Sequence, residues 1–161
     1  MKTLILVRHG KSSWKHPVRD IDRPLKKRGS TDATMVSDEF LKTKIQPDYV
    51  VSSPAKRAFD ICKIFIKKLE ISDKKLEINP TIYDFQGTQT ADFIKSLDNN
   101  YHKVMLFGHN YAFTWLVNTL GDRYIDNLPT SGLVVISFDV QSWKDIKKGI
   151  TELMLFPKNL R

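Results

Sequence analysis

Cysteine is nearly missing: Cys62 is the only one in 161 residues. That excludes an internal disulfide and fits a reducing compartment. Cys62 stands among Ala58, Ile61, Phe65 and Leu69 at helical spacing, the place of a core thiol. Long hydrophobic runs are also missing. The apolar stretch at residues 4–7 follows Lys2 but is cut off by Arg8, too short for a signal peptide or a membrane span. The expectation is a cytoplasmic protein. No repeat, low-complexity tract or Gly/Ser linker interrupts the chain, which predicts one domain over residues 1–161. Extended basic runs are lacking despite a net charge of +8. The lysines come as scattered pairs such as Lys26-Lys27 and Lys147-Lys148, which predicts a solvated surface and argues against nucleic acid as a partner.

Strands and helices alternate in the remaining pattern. Residues 3–7 read as a short buried strand and 26–42 as a helix with Ala33, Val36, Phe40 and Leu41 on one face. A strand at 49–52 precedes an amphipathic helix at 55–69. A short strand lies in 75–79, and a helix capped by Thr88 or Thr90 carries Phe93, Ile94 and Leu97. A fourth strand begins at 103, a helix covers 111–120, and the tail reads as a hairpin of 133–140 and 150–156. Such alternation predicts a three-layer α-β-α sandwich around a mostly parallel sheet. An apolar patch around Trp143 is a candidate dimer surface, and the oligomeric state stays open.

Functional groups of parallel sheets gather beyond the carboxyl ends of the strands. Arg8 and His9 follow the first strand, Arg57 opens the helix after the second, and His109 follows the fourth. Two guanidinium groups in one crevice call for an anion, and their forked donors match phosphate oxygens. Adjacent positive charges oppose protonation of His9, and a neutral imidazole is a nucleophile. Arg8, Arg57 and His109 would stabilise the equatorial oxygens, and Gly10 would let the backbone turn close to them. His9 and His109 have no Cys, Asp or Glu at ligand spacing, and arginines repel cations, so neither metal nor cofactor is expected. His16 and His102 read as surface histidines.

The motifs LVRHG (6–10), RPLKKRG (23–29), SSPAKRA (52–58) and GHN (108–110) together resemble the histidine phosphatase superfamily, the phosphoglycerate mutase-like fold. The short length, RHGKSSW and the LPTSGLVVISFD tail resemble its SixA-type phosphohistidine phosphatases. The resemblance implies that His9 is the phosphorylated nucleophile and that Arg8, Arg57 and His109 form the phosphate pocket. It also implies a phosphorylated substrate, with a phosphohistidine-bearing protein as partner. A small-molecule phosphomonoesterase and a non-catalytic phospho-ligand binding module are the alternatives.

Mutase-like members follow RHG with Glu-Ser-x-Trp-Asn, whereas this chain has Lys11-Ser12-Ser13-Trp14-Lys15. Lys15 therefore replaces an asparagine and is a candidate third cation at the pocket mouth. Many members use a glutamate as proton donor. Here Asp84 is the carboxylate near that place, either a general acid or a turn residue. Arg23 is a candidate phosphate ligand or a loop anchor, and of two roles for Trp14, lining the pocket mouth or pinning the same loop to the core, the second is expected. A weak acid suits phosphohistidine, which leaves as neutral imidazole and needs less protonation than an alkoxide.

Overall fold

The computed structural model describes residues 1–161. The strands are β1 (Lys2–Arg8), β2 (Tyr49–Ser52), β3 (Leu76–Ile78), β4 (Lys103–Gly108), β5 (Leu133–Phe138) and β6 (Ile150–Leu155). The α-helices are α1 (Lys27–Leu41), α2 (Lys56–Lys68), α3 (Thr88–Lys95), α4 (Ala112–Leu120) and α5 (Pro157–Leu160). The six strands form one sheet in the order β3-β2-β4-β1-β5-β6. β1 to β4 run parallel, β5 is antiparallel to β1, and β6 is antiparallel to β5. The mostly parallel α/β sandwich expected from the alternation is the architecture found.

Near-continuous apolar strands such as LILV and VMLF are what a sheet buried on both faces requires. Alternation along β1 sorts its side chains. Leu4 and Leu6 join a core with α3 and α4, which contribute Ile94, Phe113 and Leu116. Ile5 and Val7 join the opposite core with Val36 and Phe40 of α1 and Ile61 and Phe65 of α2. Each fully buried side chain of this size contributes about 1.5–3 kcal/mol, so both layers hold the sheet from which the site projects. No helix is long and apolar enough to cross a membrane.

Two local expectations are corrected. Trp143 is fully buried, with Nε1 donating to the Tyr101 carbonyl at 2.8 Å, so it presents no apolar surface patch. α3 is capped by neither Thr88 nor Thr90. Its N-cap is Gly87, at φ +111°, and the Asp84 carboxylate accepts from the Gly87 and Thr90 backbone N–H groups at 3.1 and 3.0 Å. The acceptor that satisfies the helix's open N–H groups thus comes from four residues upstream of its first turn.

Candidate active site

Register brings the motif residues to one rim. Arg8 pairs with Gly108, and Ser52 with Phe107. The ladder continues one residue further: His9 N–H donates to the Gly108 carbonyl and Ser53 N–H to the Phe107 carbonyl, each at 2.9 Å. The start of antiparallel β5 reaches the same rim, where Ser131 N–H donates to the His9 carbonyl at 3.0 Å. Arg57, in the first turn of α2, is 2% exposed, and its carbonyl accepts from Gly10 N–H. The His9 and His109 rings lie 5.4 Å apart.

Hydrogen bonds fix both imidazole tautomers. His9 Nδ1 lies 2.8 Å from the Gly10 carbonyl, which only accepts. The proton therefore sits on Nδ1, and Nε2 keeps its lone pair. His109 Nε2 lies 2.8 Å from Ser53 Oγ, which already accepts from Ala55 N–H at 3.1 Å. The Ser53 hydroxyl proton has no other acceptor in the protein, so it goes to His109 Nε2, and His109 carries its own proton on Nδ1.

That Nδ1–H, Arg8 Nε and Arg57 Nε are the three buried side-chain nitrogens without a hydrogen-bond partner in the protein. Three nitrogens beside them are held by the protein. Arg8 Nη1 donates to the Leu128 carbonyl at 2.8 Å. Arg57 Nη1 and Nη2 donate to the Asp20 carbonyl at 2.7 Å and to Asp20 Oδ2 at 3.0 Å. Buried donors are normally paired, so a set of three unpaired ones marks a place built for an acceptor.

Both histidines are held neutral. His9 is lowered to about 3, chiefly by burial and then by the charges of Arg8, Arg57 and Arg23, with the Gly10 hydrogen bond working upward. Burial likewise takes His109 down to about 3, helped by His9 and Arg57. The neutral nucleophile was expected from the arginines, but desolvation is the larger cause.

A family model described as histidine phosphatase superfamily, branch 1, matches residues 4–91, more than half of the chain. The chain belongs to the histidine phosphatase superfamily. Among solved structures, the protein histidine phosphatase SixA complexed with tungstate aligns over 99% of both chains at 20% identity and a TM-score of 0.84. A SixA protein of Agrobacterium tumefaciens aligns over 97% of this chain and 98% of its own at 22% identity and a TM-score of 0.77. An uncharacterized chloroplastic protein of Arabidopsis thaliana is 27% identical over 89% of this chain and 70% of its own length. The enzyme is thus a phosphatase of this superfamily, with the phosphoglycerate mutase-like fold.

The geometry sorts the other residues singled out in this histidine phosphatase among their alternatives. Asp84 is 6% exposed, and its carboxylate accepts from Gln86 N–H, Gly87 N–H, Thr90 N–H and Thr90 Oγ1. Burial works upward on it, but these four donors outweigh burial and hold it below the usual carboxylate value. It is an ionised turn and cap residue, the second of its two expected roles. Arg23 is buried and spent on the loop: it donates to Ser12 Oγ, to the Ser13 carbonyl at 3.4 Å and to Asp20 Oδ1 at 3.1 Å. Its charge still reaches His9. Lys15 is exposed, and no side-chain contact brings it to the pocket. Trp14 is 76% exposed, with the Arg23 guanidinium 3.2 Å above its ring, so it stacks on the loop anchor instead of the core. Gly10 is a packing glycine. A Cβ there would sit 2.8 Å from Ile61 Cδ1 and 3.2 Å from Gly29 Cα, far tighter than ordinary contact.

Four further residues belong to the site. Asp20, in a 3-10 turn at Asp20–Asp22, joins Arg57, Arg23 and the Tyr83 hydroxyl, the last at 2.5 Å. Burial works upward on Asp20, but these donors bring it down to about 2. Tyr83 and Phe85 pack their rings 5.3 and 5.0 Å from His109. Ser53 sets the His109 tautomer. Ser53 lies inside SSPAKRA, so its motif was visible; Asp20 stands three residues before Arg23, a spacing with no chemistry of its own. No three His, Cys, Asp or Glu side chains converge at ligand distance.

Proposed function

We propose that this phosphatase works without a metal, through phosphorylation of His9, and that its substrate is a phosphohistidine on another protein. One observation carries the reading: an imidazole with its lone pair fixed on Nε2 stands beside three buried donors aimed at no protein acceptor. His9 Nε2 attacks phosphorus. The N–P bond forms as the bond to the leaving group breaks, and the leaving group takes that electron pair. Arg8 Nε, Arg57 Nε and His109 Nδ1–H hold the equatorial oxygens as charge shifts onto them. Water then attacks the phosphorus of phospho-His9. The N–P electron pair returns to Nε2, and the water's proton leaves with inorganic phosphate or to solvent. Tungstate, a tetrahedral oxyanion, occupies the SixA structure aligned with this chain.

The choice of phosphohistidine rests on Asp84. With its carboxylate ionised and four times hydrogen-bonded, this loop supplies no proton for an alkoxide. A protonated phosphohistidine departs as neutral imidazole and needs none. Tyr83 and Phe85, beside His109, offer flat apolar surface to such a ring. The guanidinium pair makes the site unattractive to cations.

Rapid quench with a radiolabelled phosphohistidine protein tests this, with sugar phosphates in parallel. An acid-labile phosphoenzyme is expected, lost in His9→Ala, and Arg57→Ala lowers turnover by about 10²–10³ or more. Brisk hydrolysis of sugar phosphates with no turnover of the protein overturns the substrate class. No phosphoenzyme, and no effect of His9→Ala, leaves a module that only binds.

A further inference from the structure

Beside Arg8 a polar cleft of about 470 Å³ opens between α1, α5 and the loop that precedes β5. Its charged lining is Arg8, Lys11, Arg28, Lys158 and Arg161, with Asp32 as the only carboxylate. Asp32 is buried and already committed. It accepts from Arg161 Nη2 at 3.0 and 3.1 Å and lies 3.7 Å from Arg28 Nε. Five cationic side chains thus face one carboxylate side chain in this concavity, and no ion pair holds Lys11 or Lys158.

The geometry points to this cleft as the docking site for carboxylate side chains that flank the phosphohistidine of the partner protein, an inference that rests on the substrate reading above. Arg8 belongs to both places. It lines the cleft, its Nη1 is fixed on the Leu128 carbonyl, and its unpaired Nε belongs to the phosphate pocket. An anion in the cleft and the phosphoryl group thus meet the same guanidinium, which puts the cleft within reach of residues near the histidine in a partner's chain. Small-molecule sites converge a few buried donors on one ligand. Here Lys11, Arg28, Lys158 and Arg161 are long and exposed, which suits several carboxylates on a facing surface. Lys11 also reverses the glutamate that follows RHG in mutase-like members, a charge that would repel such a partner.

The test has two arms. First, fluorescence anisotropy follows a labelled peptide of about six glutamates at low salt (about 20 mM) and again at about 200 mM. Wild-type enzyme and a control, Lys74→Glu at the opposite edge of the sheet, bind it. Lys11→Glu and Lys158→Glu weaken binding about tenfold, and the higher salt removes it. Equal binding by all four proteins, no binding by wild type, or equally tight binding of a thymidine oligonucleotide overturns the cleft. Second, kcat/KM is measured for phosphohistidine peptides with glutamate or glutamine flanks. The glutamate peptide is expected to be favoured about tenfold, and Lys158→Glu to erase the preference. Hydrolysis without preference overturns the docking site alone. If neither peptide is hydrolysed while hexaglutamate still binds, the substrate reading fails and the anion cleft stands.

Discussion

Arg57 gives both terminal nitrogens to Asp20, at 2.7 Å to the carbonyl oxygen and 3.0 Å to Oδ2, and keeps only Nε free of protein partners. A carboxylate therefore stands next to a pocket built for an anion. Its effect is orientation: with its fork clamped, the guanidinium turns Nε inward at little entropic cost. Asp20→Ala removes the Oδ2 half of that clamp and leaves the bond to the backbone carbonyl, and it is expected to lower kcat about tenfold, while Asp20→Asn, which keeps a side-chain acceptor, loses only a few-fold. Removing the negative charge also favours phosphate binding, so KM falls or holds as kcat drops. Unchanged kcat in Asp20→Ala would show that Arg57 does not need that half of the clamp.

Much of this arrangement follows from the sequence because parallel strands export their chemistry to one end. Arg8-His9, Arg57 and His109 each follow an apolar run, and a parallel register leaves them a common rim. Asp20 and Tyr83 were not legible. They meet across 63 residues, through two irregular loops whose path no periodicity encodes. Arg23 was read in both its possible roles. Only the loop's fold, which sets Ser12, Ser13 and Asp20 around it, decides for the anchor. Trp14 failed for a related reason: an aromatic beside an apolar strand suggests core, but stacking on a buried guanidinium gives it a surface partner.

Asp84→Asn separates a structural carboxylate from a catalytic one. An amide is neutral and accepts on one atom only: with its oxygen in the Oδ2 place it keeps the Gly87 and Thr90 donors without the charge, and it sets an NH2 against Gln86 N–H. The expected cost is about 1–2 kcal/mol of stability, read by denaturant melts. Turnover of phosphohistidine and of phosphomonoesters should change by the same small factor. A selective collapse on phosphomonoesters would restore Asp84 as an acid.

Ser53→Ala removes the group that assigns the His109 tautomer. Without the hydroxyl donor, the His109 proton is free to move to Nε2, away from the phosphate oxygens. A fall of about tenfold in kcat is expected, with KM little altered, because the lost interaction matters most as charge develops. Ser53→Thr keeps a hydroxyl and should recover part of the rate. Equal rates for all three proteins would mean that the tautomer does not matter.

Acid should destabilise the protein in two stages. The folded pKa of His9 and of His109 is about 3, below the ordinary 6.5. The unfolded chain then binds more protons than the folded one over that interval, so stability rises with pH. The contribution of the neutral histidines is complete above about pH 6.5 and declines as pH falls toward 3, by an amount on the order of a few kcal/mol. Asp20, lowered from 3.8 to about 2, acts with the same sign in a lower window, its contribution present above about pH 4 and lost toward pH 2. Thermal melts from pH 7 down to about 5.5 should show a falling midpoint before the carboxylates titrate appreciably. His109→Gln has one fewer imidazole to protonate, so its midpoint should fall less steeply over the same range. Parallel curves for the two proteins would mean that His109 titrates normally and is not held neutral by its burial.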